Sequence, residues 1–282
     1  AYEIPKRDWS SDVCSSDLAV NTAVAAAQES GKRVVLVDGS FQFGDVGVLL
    51  NLNPKNRSVA DLVKELEAPG EHDSLDSYVV RHSSGTGVLL APPSPELAEL
   101  VTPAGLRKVL EKSPGSAGLE LNLAMVEMIW GDADRDSGSP AKALQHYKAA
   151  VEISERHLAA GHVSAPRTVL QAGVALAKME ARTGRGAEGL ARVDHLFIVA
   201  KKELDRVNRG HFSPAEITRA QGLLPMISSA YYYVHDALGH REEAAQWHQK
   251  ALEEWRKLEG KPGFDVRMKE SLRELQSRSP VP

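Results

Sequence analysis

Apolar positions change their period once along this chain. As far as about residue 112 they mix helical stripes with short continuous runs; beyond that point only helical spacing remains. In the alanine-rich stretch from Ala19 to Gln28, Val20, Ala23, Val24 and Ala27 share one helical face, and Gly31 follows as a stop. The run Arg33-Val-Val-Leu-Val-Asp38 is rich in β-branched side chains and ends in an acid. It predicts a buried parallel strand that carries a carboxylate to its C-terminal edge, where α/β proteins place ligands. Ser58 then caps a helix whose Val59, Leu62, Val63 and Leu66 recur at helical spacing. A second strand, Gly87 to Ala91, is stopped by Pro92-Pro93, and Ser94-Pro95 and Thr102-Pro103 each open a further helix with proline at its first position. This alternation of helix and strand argues an α/β arrangement.

After the punctuation cluster Ser113-Pro-Gly-Ser116 the chain reads as helical hairpins. Leu119, Leu123, Val126 and Trp130 mark one helix, and Ala143, Leu144, Tyr147, Ala150 and Val151 mark the next, with Gly131 and Gly138 expected to bracket the turn between them. The pattern resumes after Gly184 with Leu190, Val193 and Leu196, and after Gly239 with Ala244, His248, Ala251 and Trp255, an irregular repeat. Pro225 should kink or break the helix that precedes the last of these turns.

Composition narrows the function classes. A chain of 282 residues, 42% hydrophobic, is expected to hold two domains. A formal charge of −4, with both signs interspersed, argues against a nucleic-acid surface, and no apolar run is long enough for a transmembrane segment, so a cytoplasmic protein is expected. The single cysteine, Cys14, excludes an intramolecular disulfide framework.

Three resemblances refine this reading. Residues 1–18, with the Ser/Asp-dominated run Asp8 to Leu18, read as a loop and resemble one frame of a translated short-read sequencing adapter; they are expected to be artefactual and disordered. The segments Ala19–Ala25, Gly31–Asp38, Phe41–Leu52, Ser58–Leu62 and Val88–Pro95 together resemble the MinD/ParA class of P-loop ATPases, closest to the CpaE/TadZ branch associated with bacterial pilus assembly and polar localisation. That resemblance implies a phosphate loop ahead of Ala19 that binds ATP and Mg²⁺, yet no G-x-x-x-x-G-K-[ST] occurs in the chain. It also implies a second switch aspartate where Ser40 stands, and a Walker-B strand after Leu106, Val109 and Leu110, where the chain changes character. Asp38 is therefore a relic of Mg²⁺ positioning by resemblance, and by its own chemistry a turn former. Gly138-Ser-Pro-Ala-Lys-Ala143-Leu-Gln-His-Tyr147-Lys-Ala-Ala150 and Gly239–Ala251 resemble second helices of tetratricopeptide (TPR) repeats, in arrays like those attached to bacterial serine/threonine protein kinases.

The expected fold is mixed and helix-dominated: an incomplete α/β, P-loop NTPase-like fragment over 19–112, followed by an all-α TPR-like helical-hairpin array over 113–282, joined in a chimaeric reading frame. The front fragment, with two strands, is expected to be marginal. No catalytic or metal-ligating constellation emerges. Gly184-Arg-Gly186-Ala-Glu-Gly189 matches a dinucleotide loop by letter but follows a helix, so it reads as a repeat turn. His235 and His240 have no third ligand in register. Tyr147, Tyr231, Tyr232 and His248 are the candidate lining of a peptide groove, with packing into the core as the competing reading. The expected function is a non-catalytic TPR-like protein–protein interaction module that binds a protein or peptide partner without cofactor. The alternative is an ATP-dependent localisation or pilus-assembly ATPase whose Walker A segment is missing.

Overall fold

A computed structural model describes residues 15–41, 44–53, 57–69, 75–112 and 117–278. The adapter-like residues 1–14, the Gln42-Phe43 pair within the ATPase-like stretch and the Ser113–Ser116 cluster lie outside the described residues. The helices are α1 (Ser15–Ser30), α2 (Val46–Leu49), α3 (Val59–Glu67), α4 (Pro95–Ala98), α5 (Pro103–Lys112), α6 (Ala117–Asp136), α7 (Pro140–Ala159), α8 (Ala165–Arg182), α9 (Gly186–Arg209), α10 (Pro214–Gln221), α11 (Leu223–Ala237), α12 (Arg241–Arg256) and α13 (Val266–Ser277). The strands are β1 (Val35–Val37), β2 (Val80–Arg81) and β3 (Gly87–Leu89). Helix dominates, as expected, and two compact units, residues 1–126 and 127–282, divide within α6 rather than at residue 113.

In the first unit β1 and β3 pair in parallel, Val35 opposite Gly87 and Val37 opposite Leu89, as the apolar runs predict. Only the central β3 is buried; β1, expected to be buried, is an edge strand with Val35 39% exposed. The strand order is β1-β3-β2, and the antiparallel β2 is unannounced by sequence because two residues carry no period. Asp38 continues the ladder, its amide donating to the Leu89 carbonyl (2.9 Å). Val20 of α1, Val46 and Leu50 around α2, and Val88 and Leu90 around β3 form one apolar cluster of this unit, and α3 packs on α5 through further buried side chains such as Val63 and Leu106. Ser58 starts α3 with a full capping box: its hydroxyl accepts from the Asp61 amide, and Asp61 accepts from the Ser58 amide (2.9 Å). Helix α1 ends at Gly31, φ +60°, as expected, but begins at Ser15. Ser15 to Leu18 are thus helical rather than loop; they extend the Ala-rich helix by one turn, which propensity alone does not forbid. No strand follows α5 among the described residues; α6 does.

The second unit is a stack of hairpins in which α7 packs on α8, α8 on α9, α11 on α8, α9 and α12, and α13 on α12. The turns α6–α7, α8–α9 and α11–α12 each place one glycine in the left-handed region, Gly138 (φ +79°), Gly184 (φ +80°) and Gly239 (φ +74°). That conformation costs an L side chain about 1–2 kcal/mol, which explains the residue type at all three. Gly131 is not a turn residue: it lies inside α6, buried, where a Cβ would stand 2.6 Å from the Tyr147 ring. The glycine admits the tyrosine, and the hairpin closes around that contact. Pro225 does not break its helix; the interruption falls at Gly222, between α10 and α11, and Pro225 sits in the first turn of α11, where its missing N–H would lack an intrahelical acceptor anyway. Val169, Leu170, Val193, Leu196, Ile227 and Val234 are fully or almost fully buried where α8, α9 and α11 meet. A second cluster, including Trp255, Phe264, Leu272 and Leu275, joins α12 to α13.

Candidate functional site

The four residues expected to line a peptide groove are buried in helix contacts. Tyr147 is 1% exposed, and its hydroxyl donates to Asp132 Oδ1 (2.7 Å). Tyr231 stacks on Trp247, centroids 4.1 Å apart, and donates to Asp194 (2.5 Å). Tyr232 meets the edge of His248, whose Nε2 donates to the Leu275 carbonyl (2.9 Å) and so ties α12 to α13. Tyr231, Tyr232 and His248 therefore fill the interior instead of facing a partner. Their apolar bodies remove more area from water inside than a groove would, and each polar tip finds an acceptor or packs against a neighbouring ring. Tyr147 alone also borders an opening.

That opening is a chamber of about 560 Å³ on the side of the helices that precede the glycine turns. Its walls carry Arg135 from α6, Lys178 and Arg182 from α8, Tyr233 and Asp236 from α11, and Glu274 and Arg278 at the end of α13. Four cations face two acids, and several of these charges are already engaged. Arg135 bonds both Asp132 (2.6 Å) and Asp136 (2.8 Å), which holds its guanidinium above the ordinary arginine range. Arg278 lies 3.5 Å from Glu274. Lys178 and Arg182 have no hydrogen bond or ion pair among the described residues. The Lys178 ammonium rests 3.9 Å from the centroid of the Tyr233 ring, and Arg278 lies 4.8 Å from the same centroid.

Burial pushes the Lys178 pKa down to about 8; Glu274 and Asp132 pull it up, and Arg278 and Arg135 push it further down. The Tyr233 hydroxyl is buried and no hydrogen bond of good geometry reaches it; burial, and then the neighbouring Glu274 carboxylate, raise its pKa far above the ordinary tyrosine value. The chamber thus presents an ammonium and a guanidinium that make no hydrogen bond, although Glu274 and Asp132 act on the first and Asp136 on the second, and a buried hydroxyl without a partner of good geometry. An anion would satisfy all three. Sequence reasoning missed Lys178, Arg182 and Tyr233 because they stand on three different turns of two helices, and only packing brings them together. The one available signal was the unusual Tyr231-Tyr-Tyr233 run, of which the third member is the one that reaches the chamber.

Asp38 is 4% exposed at the carboxyl edge of β1, as the strand pattern requires. Its carboxylate accepts from the amides of Ser40 (3.1 Å) and Val46 (3.3 Å), closing the turn after β1 and holding the start of α2. Burial raises its pKa first, the two amides lower it, and Asp45 raises it again. Gly44 stands against it, where a Cβ would lie 2.5 Å from Oδ2. Asp38 has the contacts of a turn former, the chemistry its residue type suggests.

His235 and His240 sit with Nδ1 atoms 3.2 Å apart, and no group of three metal-ligating side chains exists among the described residues. Thr183 to Arg185 form the α8–α9 turn and Gly186 to Gly189 the first turn of α9, so the run follows a helix and is not a dinucleotide loop after a strand. No described helix is long and apolar enough to cross a membrane. The chain matches no known protein family, no curated protein and no solved structure.

Proposed function

We propose that residues 127–282 form a non-catalytic, TPR-like interaction module that takes an acidic segment of a partner protein into the chamber, with Lys178 and Arg182 as its cationic contacts. The single observation that carries this is charge: two cations that make no direct ion pair, on walls contributed by five helices, beside a buried hydroxyl that accepts and donates no hydrogen bond of good geometry. A carboxylate entering there gains charge-assisted hydrogen bonds, each worth about 1.5–3 kcal/mol. Residues 19–112 fit beside it as a phosphate-loop-less fragment of a MinD/ParA-class, CpaE-like ATPase from a bacterial pilus-assembly or localisation system, joined to the module in a chimaeric, cytoplasmic reading frame. The parallel β1–β3 pair with Asp38 at its carboxyl edge supports that ancestry.

The test is fluorescence anisotropy of labelled hexapeptides rich in Glu and Asp, with amide-neutralised copies as controls. Selective binding of the acidic peptides, weakened about tenfold or more by Lys178→Met or Arg182→Gln and indifferent to nucleotide, is the expected result. Equal binding of both peptide sets would remove the module reading. Calorimetric binding of Mg-ATP would put the localisation ATPase in its place.

A further inference from the structure

A second cavity in the helical unit, of about 250 Å³, opens at the opposite character of surface: an apolar floor under a ring of arginines. Val207, Leu223, Met226, Trp255 and Met268 make the floor. Trp255 is 3% exposed overall, and its indole N–H is engaged by Ser229 (3.3 Å), so it offers the cavity carbon rather than a donor. At the rim stand Arg167 at the start of α8, Arg219 of α10 and Arg267 of α13.

Glu203, Glu216 and Asp265 line the same cavity, and each already accepts hydrogen bonds from another group. Glu203 is held by both nitrogens of Arg206 (2.7 and 2.8 Å), a pair that closes one side of the rim over Phe212. Glu216 accepts from the Ser213 amide (2.8 Å) and hydroxyl (2.7 Å) in the cap of α10. Asp265 accepts from the Met268 amide (3.0 Å) in the cap of α13. Arg167, Arg219 and Arg267 make no hydrogen bond and no ion pair among the described residues. Three elements distant in sequence thus bring three guanidinium groups to one apolar mouth without a direct ion pair, although Asp265 acts on Arg167 and Glu216 on Arg219 through space.

We propose that this cavity binds a small amphiphilic anion: a compact apolar body seated on Trp255 and Met268, and one phosphate or carboxylate head held by Arg167, Arg219 and Arg267. The volume corresponds to roughly eight water-sized spaces, room for a short acyl chain or a single ring. Guanidinium forks match both head groups bidentately. The electrostatics agree: burial lowers the Arg167 pKa first, and Arg267 and Arg219 lower it further against the pull of Asp265, a mutual repulsion that a bound anion relieves. This site shares no lining residue with the Lys178 chamber and stands or falls without it.

The probes are octyl phosphate, octanoate, octanol and inorganic phosphate, each titrated into the full chain below its micellar concentration by calorimetry and by tryptophan emission. The two amphiphilic anions are expected to bind at least tenfold more tightly than octanol or inorganic phosphate. Their binding should shift an emission component that Trp255→Phe removes. Arg219→Gln and Arg267→Gln, on side chains outside the core, should each weaken octyl phosphate about tenfold while leaving the melting temperature unchanged, and Lys178→Met should leave it bound. Octanol binding as tightly as octyl phosphate, or arginine variants that bind as the parent does, would overturn the proposal. A sedimentation arm separates two sources of the same head group. Capture by phosphatidylglycerol vesicles but not phosphatidylcholine ones, lost in the arginine variants, assigns the head to a lipid; binding confined to monomeric octyl phosphate assigns a free metabolite; neither sinks the assignment.

Discussion

Lys178 is the residue at which burial and charge conflict most directly. Its pKa lies near 8 in the folded chain against an ordinary 10.5, so between those values the folded state binds fewer protons than the unfolded one and stability rises with pH. Below about pH 8 both states hold the proton and the destabilisation is complete. Above pH 10 the trend reverses, because burial raises the pKa values of Tyr147, Tyr231 and Tyr233 and the unfolded chain then ionises first. Lys178→Met is therefore expected to stabilise the helical unit at pH 7 by on the order of 1–3 kcal/mol and to flatten the rise between pH 8 and 10, as read by denaturant titration across that range. Gly131 makes the opposite case, a residue whose lack of a side chain is what packing needs. Gly131→Ala drives a methyl into the Tyr147 ring and is expected to cost about 1–3 kcal/mol, although alanine is the better helix former. An unchanged melting temperature would show that the ring can move aside.

At the scale of elements, the α8–α9 hairpin is fastened by more than its apolar seam. Glu180, with 4% of its side chain exposed, receives both Nε (3.0 Å) and Nη2 (2.9 Å) of Arg192 across the turn. Arg192→Met strands that carboxylate and is expected to cost about 3–5 kcal/mol, whereas Arg192→Met combined with Glu180→Leu should recover most of the loss. Chemical denaturation of the two variants separates these outcomes. Elements of this kind were legible in advance where a local signal sufficed. Ser58, Pro95, Pro103, Gly138, Gly184 and Gly239 announce their boundaries because caps and left-handed turns are decided by one or two residues. Gly131 and β2 were not legible: a glycine that turns a chain and a glycine that admits a ring look alike in sequence, and a two-residue strand has no period. The candidate site was less legible still. The aromatic residues were found with two readings, groove and core, that sequence alone does not separate, and the cations that do face a cavity are spaced like any solvated helix charge.

For the whole molecule, two compact units of unequal build predict unequal persistence. The first rests on three short strands, a small apolar cluster around them and the packing of α3 on α5; the second on the long helices α7, α8, α9, α11 and α12, packed along their lengths. Hydrogen exchange followed by mass spectrometry should find the slowest amides within α8, α9 and α11 and markedly faster exchange in β1 to β3. Uniform protection across both units would contradict this ordering. Thermal unfolding should accordingly depart from a single two-state transition.

The left-handed glycines at Gly138 and Gly184 give the array one more property. Because Gly138 and Gly184 close their turns with nearly the same backbone angle, removing Ser139 to Gly184 would leave Gly138 followed by Arg185 and the start of α9, with the corner between helices unchanged in kind. A pair of helices could be excised or copied at such a corner without inventing a new one. Heredity can then edit this chain in whole hairpins, and the length of the array becomes a quantity that recombination, not point substitution, adjusts.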